Sequence, residues 1–260
     1  MQGRRGRGVA MVAWLLITSL AAGCAGLAAK ETPDSLMKEG QQLYVDKQYD
    51  QAIPKFERVI ELDSTRWLAY IYLARCYMAK GNFTLAVTNA RIAYQAAPGG
   101  EDVLPTFSEA LLAGGTEALR TGRFTLAVAD FTDYISLHPN DAHAFLGVAQ
   151  AYAGEGRYAD ALAAFTRGFE RDRSGAVREA LLKALLEGGT QALHQGQAKS
   201  AVALLQEYVH QDPGNATGYL TLGKALLAAG YRSDARGALG RALQLNPGQR
   251  EATDLLGELR

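Results

Sequence analysis

The sequence is poor in cysteine, and its positive and negative charges cancel. Only Cys24 and Cys76 occur in 260 residues, so a core stabilised by several disulfides is excluded. Lys and Arg together number 27, as do Asp and Glu, so the basic excess typical of a nucleic-acid-binding protein is missing. Hydrophobic residues make up 48% of the chain, which is typical of a globular protein and excludes a disordered one.

A hydrophobic run long enough to span a membrane is missing as well. The longest apolar segment extends from Val9 to Ala22, interrupted only by Thr18 and Ser19, and it follows three arginines within residues 1–8. A helix of about 14 residues rises about 21 Å, which is too short for a bilayer core of about 30 Å. The segment therefore predicts the apolar centre of a signal peptide.

The end of this segment resembles the lipobox of bacterial lipoproteins. Leu20-Ala21-Ala22-Gly23 stands before Cys24, with small residues next to the cysteine. The resemblance implies that residues 1–23 are a lipoprotein signal peptide, that Cys24 is diacylated, and that residues 24–32 form the lipid anchor and a short tether. By the same resemblance, Ala25 implies the outer membrane, with the protein facing the periplasm. The alternative is an ordinary secretory signal, which would leave a soluble periplasmic protein.

An internal period of 34 residues organises the remainder of the chain. Residues 66–100 and 215–249 align through a Leu-small pair, a turn glycine, two alanines and a closing proline. This pattern resembles the tetratricopeptide repeat (TPR), a unit of two helices joined by a turn. Six copies are recognised, at residues 33–66, 67–100, 108–141, 142–175, 182–215 and 216–249.

Two columns of the repeat support this alignment most strongly. The column in which the family has alanine, because the two helices cross closely there, is alanine in every copy: Ala52, Ala86, Ala127, Ala161, Ala201 and Ala235. The turn column is Lys47 in the first copy and glycine in the others: Gly81, Gly122, Gly156, Gly196 and Gly230. Apolar and small residues recur at i, i+3, i+4 and i+7 in each predicted helix, which predicts one apolar stripe per helix.

The sequence therefore predicts an all-α fold, an α-solenoid of six TPR repeats in three tandem pairs over residues 33–249. Stacking is required because a single 34-residue unit cannot bury its apolar stripes alone. Insertions at residues 101–107 and 176–181 separate the pairs, and we expect them to lengthen the first helices of repeats three and five. Residues 250–260 predict a C-terminal capping helix whose three leucines cover the last repeat.

The family resemblance implies a concave groove, lined by the first helices, that binds a peptide or a helix. Beyond the core stripe, three further positions of each first helix form columns across the repeats. Two of these columns are largely apolar. The column between them is polar, and its side chains can hydrogen-bond a bound backbone. The predicted protein-binding residues are Met37, Gln41, Tyr44, Ile71, Arg75, Met78, Leu112, Thr116, Leu119, Leu146, Gln150, Leu186, Thr190, Leu193, Leu220, Lys224 and Leu227. The alternative is that neighbouring repeats bury much of the apolar columns.

No residue pattern in the sequence predicts catalysis or metal binding. The P-loop, zinc-protease and nucleophile-elbow patterns are absent, and His138 and His143 are better explained by a polar turn than by metal ligation. The pairs Gly114-Gly115 and Gly188-Gly189 are attributed to close helix packing, and Cys76 to a buried, unreactive thiol. The sequence therefore predicts a protein that is not an enzyme and uses no cofactor or metal.

The leading interpretation is a non-enzymatic, membrane-anchored scaffold that binds a peptide or helix of an envelope protein in its groove. The chain is similar to the TPR lipoproteins that support pilus secretin assembly or outer-membrane protein biogenesis. Envelope proteins and, through the lipid anchor, the membrane are the predicted partners; nucleic acid and small-molecule substrates are not. The alternative is a soluble periplasmic adaptor or the regulatory subunit of a cell-wall enzyme.

Replacing the lipobox cysteine tests the anchor. Cys24→Ala removes the sulfur that would be diacylated, and two acyl chains, at about 0.8 kcal/mol per buried CH₂, are enough for stable anchoring. We expect labelled palmitate to enter the wild-type protein but not this variant, which should leave the outer-membrane fraction. Cys76→Ala is the matched control and should retain both the label and the fractionation. A processed Cys24→Ala protein in the outer-membrane fraction would refute the lipoprotein interpretation.

Overall fold

The computed structural model describes residues 31–259, and every regular element in this part of the chain is an α-helix. The predicted signal peptide and Cys24 lie outside the described residues. The helices are α1 Pro33–Val45, α2 Tyr49–Leu62, α3 Trp67–Ala79, α4 Phe83–Ala96, α5 Val103–Arg120, α6 Phe124–Leu137, α7 Ala142–Gly154, α8 Tyr158–Arg171, α9 Gly175–His194, α10 Ala198–Gln211, α11 Ala216–Ala228, α12 Arg232–Leu245 and α13 Arg250–Glu258. None of these helices is both long and apolar enough to cross a bilayer.

The helices α1 to α12 form six antiparallel pairs that stack in sequence order. Three residues join the first and second helix of each pair. Each second helix also packs on the first helix of the following pair, so the apolar stripes are buried between successive pairs. One continuous core extends from Ala118 in α5 to Leu259 at the end of α13. The predicted all-α solenoid is confirmed.

The two helices of each pair cross at a point that admits only small side chains. All six alanines of the crossing column are 0% exposed. The glycine pairs of the long helices serve the same purpose, since a Cβ built on Gly115 would lie 3.0 Å from the Phe131 ring. A Cβ on Gly189 would lie 2.6 Å from Cγ of Leu205. The prediction that the glycine pairs mark close helix packing is confirmed.

The turn within each pair requires a left-handed residue. The five turn glycines have φ between 72° and 83°, and Lys47 has φ of 58° at the same point of the first pair. The amide of Gly81 donates to Met78 O at 2.9 Å, and the next amide donates to Tyr77 O at 2.8 Å. This is the Schellman motif, which satisfies the last carbonyls of a helix. The motif thus requires Lys47 to adopt a conformation that suits glycine.

The insertions lengthen two first helices, as predicted. α5 has 18 residues and α9 has 20, whereas α3 and α7 have 13. Pro105 falls in the first turn of α5, where its missing N–H costs no helical hydrogen bond. The added turns contribute Val103 and Val177, both fully buried, to the cores beneath them.

α13 closes the C-terminal end of the solenoid. Leu259 is buried in the continuous core, and Leu255 and Leu256 are half-buried against it. The charged side chains of Asp254 and Glu258 are exposed. The prediction that the three leucines cover the last repeat is confirmed.

One carboxylate lies within the packed contact between α5 and α6. Asp130 is 2% exposed, and a Cβ on Gly114 would lie 2.8 Å from Asp130 Oδ2, so the α5 backbone packs directly on the acid. Loss of hydration raises the pKa of Asp130 to about 6, although the positive charge of Arg91 opposes this rise. The solenoid therefore contains a buried acid whose charged form is unfavourable.

Lys47→Gly is expected to stabilise the first repeat. A left-handed residue with a Cβ costs about 1–2 kcal/mol, and glycine loses about 0.5–1 kcal/mol more than other residues on folding. We expect a net gain of about 0.5–1 kcal/mol in the free energy of unfolding, measured in urea. Gly122→Ala is the reverse control, because its φ is 72° and no atom lies within 4 Å of the added Cβ. Destabilisation by Lys47→Gly would contradict the role of this turn.

The wild-type protein is expected to lose stability as the pH rises from about 4 to 7, and Asp130→Asn is expected to abolish that loss. The folded pKa of about 6 lies above the ordinary value of 3.8, so the folded state binds the proton more tightly than the unfolded chain. That contribution is complete below about pH 4 and is lost as the pH rises through about 6. The wild-type free energy of unfolding should therefore fall by about 1–3 kcal/mol from pH 4 to 7 relative to the variant.

Denaturant titrations at several pH values measure this difference. Asp234→Asn removes an exposed carboxylate from the first turn of α12 and serves as the control, which should keep the wild-type pH dependence. An Asp130→Asn profile parallel to that of the wild type would show that this acid is not responsible.

Candidate functional site

The first helices form the inner face of the solenoid. Each first helix contacts the first helix of the next pair, from α1 and α3 through to α9 and α11. Among the second helices only α8 and α10 contact each other to a comparable extent. Helices on the inside of a curved stack lie closer together than those on the outside, so the first helices line the concave face. All the predicted groove residues belong to these helices.

A cavity of about 410 Å³ opens in the middle of the concave face, between α5, α7 and α9. Its wall includes two predicted residues, Leu119 and Gln150. The other lining residues are Arg120, Phe124, Ala153, Gly154, Phe165, Ala184, Glu187, Gly188 and Gln191. Sequence reasoning missed Phe124, because this ring comes from a second helix, whereas the prediction considered only the exposed columns of first helices.

Glycines set the width of this cavity. A Cβ built on Gly188 would lie 3.9 Å from Cβ of Ala153 across the cavity, so larger residues would fill the space. A Cβ on Gly154 would collide with the Phe124 ring, which therefore packs directly on the end of α7. The result is an opening with the Phe124 ring in its wall and a polar rim, a composition that suits a site that binds a side chain.

The predicted groove residues differ in accessibility. Leu112 is 38% exposed, and Thr116 and Gln150 are also exposed. The half-buried members are Met37, Gln41, Tyr44, Arg75, Met78, Leu119, Leu186, Thr190, Leu193, Lys224 and Leu227. These exposed and half-buried residues remain candidates for contact with a partner.

Three predicted groove residues belong to the core instead. Ile71, Leu146 and Leu220 are 0%, 5% and 7% exposed. Ile71 packs in one cluster with Val103 from the added turn of α5, and Leu146 shares the continuous core with Val177 from the added turn of α9. The insertions thus contribute to burying a column that an unmodified repeat would expose. The predicted role of these three residues in contacting a partner is corrected to a structural one.

The uncharged polar side chains of the middle column divide into two groups. The hydroxyls of Thr116 and Thr190 donate to the carbonyl four residues earlier in their own helices, both at 2.7 Å. The amides of Gln41 and Gln150 form no hydrogen bond within the described residues. The two glutamines are therefore better placed than the threonines to donate to a bound backbone.

Both cations of the middle column are paired with acids. Arg75 forms an ion pair with Asp102 at 2.9 Å, and Lys224 pairs with Glu251 of α13. The sequence prediction gave both cations a role in hydrogen-bonding a bound backbone and did not include these ion pairs. Their acidic neighbours come from the insertion at 101–107 and from the terminal helix, which the repeat pattern does not describe.

Other polar candidates have structural surroundings. Cys76 is fully buried, and burial raises the pKa of its thiol to about 11, which confirms the prediction of a buried thiol and suppresses the reactive thiolate. His138 Nε2 lies 2.7 Å from Ser108 Oγ, and the His138 ring packs on Tyr134. Across residues 31–259 no three His, Cys, Asp or Glu side chains are grouped as a metal site requires.

Models of the tetratricopeptide repeat match most of the chain. One matches residues 112–176, and a second matches residues 43–88 and 192–259. Among the curated proteins, none matches this sequence.

Solved structures are similar to this chain at low sequence identity. The Naa15/Naa10 complex bound to HypK-THB has 15% identity and a TM-score of 0.57, and the alignment covers 87% of this chain and 33% of that one. PilW, a type IV pilus biogenesis factor, has 18% identity and a TM-score of 0.39 over 86% and 98% of the two chains. YrrB, a TPR protein with an unusual peptide-binding site, has 18% identity and a TM-score of 0.37 over 84% and 89%.

Proposed function

We propose that this chain, which belongs to the tetratricopeptide repeat family, is a non-enzymatic scaffold that binds a peptide or helix of another protein in its concave face. The observation that carries the proposal is the cavity of about 410 Å³ between α5, α7 and α9. A cavity of this size accommodates one or two large side chains, with polar groups around them to hold the backbone.

The lining indicates the chemistry of the occupant. Phe124, which is half-buried, offers an aromatic wall to an apolar anchor side chain, and such buried anchors contribute most of the affinity in protein interfaces. The amides of Gln150 and Gln191 can bond to the backbone beside that anchor. Leu112, exposed on α5 seven residues before Leu119, adds apolar surface to the same helix. These features favour an amphipathic helix or an extended peptide with spaced apolar residues.

We further propose that the partner is a protein of the bacterial envelope and that the scaffold is lipid-anchored at the outer membrane, facing the periplasm. The support for this is Leu20-Ala21-Ala22-Gly23-Cys24 after a short apolar segment. A scaffold held there would concentrate its partner at the membrane surface. We propose the assembly of a pilus secretin or of outer-membrane proteins as the process served.

Two charges placed on the concave face test the site. Leu112→Glu combined with Gln150→Glu changes exposed residues of α5 and α7, so the core stays intact. An apolar partner would have to desolvate both carboxylates, which costs several kcal/mol when they stay unpaired. We expect the recovery of crosslinked envelope proteins to fall at least about tenfold, as measured by quantitative mass spectrometry.

A matched double variant on the second helices controls for charge and exposure. Leu85 of α4 is 39% exposed, against 38% for Leu112, and Thr166 of α8 is exposed like Gln150. Leu85→Glu with Thr166→Glu should leave the recovery of partners at the wild-type level, and circular dichroism should show both double variants folded. If both lose partners equally, or neither does, the concave face is not the binding site.

A further inference from the structure

Arg75 on the concave face already holds a carboxylate. Its Nη2 lies 2.9 Å from Asp102 Oδ2, and its Nε donates to Thr106 Oγ1 at 3.3 Å. Thr106 is 2% exposed, so this hydroxyl is fixed within the start of α5. The guanidinium also lies 5.9 Å from the centre of the Tyr72 ring. The Thr106 hydroxyl holds the guanidinium in place by accepting from its Nε, so the rest of the guanidinium forms a binding position for an anion, and Asp102 occupies it.

Asp102, the partner of Arg75, has an unusual conformation for the residue that precedes a helix. It is the N-cap residue of α5, yet it has φ of 60° and its side chain caps no amide of the helix. Asp141, the N-cap of α7, shows the ordinary arrangement, with an extended backbone and Oδ1 accepting from the His143 amide at 3.0 Å. Asp102 therefore gives up a cap and accepts backbone strain while its carboxylate lies on Arg75. Strain of this kind points to a functional constraint.

The same arrangement recurs at the other end of the solenoid. Lys224 stands in the column of Arg75, four repeats later, and it pairs with Glu251 of α13. Asp102 belongs to the insertion at 101–107, and Glu251 to the terminal helix, so neither acid is part of a repeat. Both cations of the column are thus covered by acids from segments that were added to the repeats.

We propose that Arg75 is a carboxylate-binding position for an acidic peptide in the concave groove, and that Asp102 is its built-in competitor. This inference rests on the proposed function. An acidic side chain of the peptide would replace Asp102 on Arg75, exchanging one ion pair for another. The side chain of Asp102 is 54% exposed, so it can swing into water when it is displaced. A peptide without a carboxylate gains nothing from displacing Asp102, and the exchange therefore selects acidic partners.

Two labelled peptides distinguish the exchange from general groove binding. One is an amphipathic twelve-residue peptide of leucine and glutamate, and the other has glutamine in place of each glutamate. Fluorescence polarisation measures the affinity of both for the full chain as wild type, Asp102→Asn and Glu101→Gln. Asn keeps the size of Asp and tolerates the left-handed conformation. Glu101→Gln removes the same charge one residue away, from an exposed side chain that forms no ion pair within the described residues.

We expect Asp102→Asn to bind the glutamate peptide roughly three- to fivefold more tightly than the wild type, as suits a partly exposed ion pair. Its affinity for the glutamine peptide should not change, and Glu101→Gln should resemble the wild type with both peptides. Arg75→Gln added to Asp102→Asn should abolish the gain. Asp102→Gly, which fits φ of 60° without strain, should reproduce the gain and guards against an effect peculiar to asparagine.

Two further results would overturn the inference, and they distinguish failure of the exchange at Arg75 from failure of groove binding itself. Equal affinity of the wild type and Asp102→Asn for the glutamate peptide, or an equal gain in Glu101→Gln, would show that Asp102 competes for nothing. Groove binding would still stand if the glutamine peptide bound every variant. Binding of neither peptide by any variant would overturn both this inference and the proposed function.

Discussion

The close crossing of the two helices in each repeat is the contact on which the rest of the structure depends. Six alanines are completely buried at these crossings, and glycine pairs let the long helices approach their partners equally closely. Close crossing joins the apolar stripes of the two helices into one apolar surface on the side of the pair. Since no pair can bury that surface alone, stacking follows, and with it a curved solenoid that has the first helices inside.

The segments added to the repeats change which residues of the concave face are accessible and which are paired. The turns added to α5 and α9 bring buried valines onto neighbouring pairs and contribute to covering Ile71 and Leu146, which an unmodified repeat would expose. The insertion before α5 and the terminal helix also supply Asp102 and Glu251, which pair with the cations of the concave face. The accessible surface of the groove is therefore decided as much by these segments as by the repeats.

The candidate site could be predicted in part from sequence. The predicted columns lie on the first helices, and two of their residues, Leu119 and Gln150, line the central cavity. Phe124 was missed, because the path of a second-helix ring into the groove depends on small residues opposite it, such as Gly154. The ion pair of Arg75 was not predicted, because its partner Asp102 lies 27 positions further along the chain in a segment without a repeat pattern.

The sequence by itself determined the number and type of helices, their pairing, and the residues at the crossings and turns. These properties depend on short-range periodicity. Lys47 illustrates this, because the repeat imposes on it the left-handed conformation that glycine has in the other repeats. Only the tertiary structure decided which groove residues are accessible, which cations are paired and where a cavity opens. Burial and pairing depend on distances between segments that are remote in sequence, and small shifts in helix packing open or close the space between three helices.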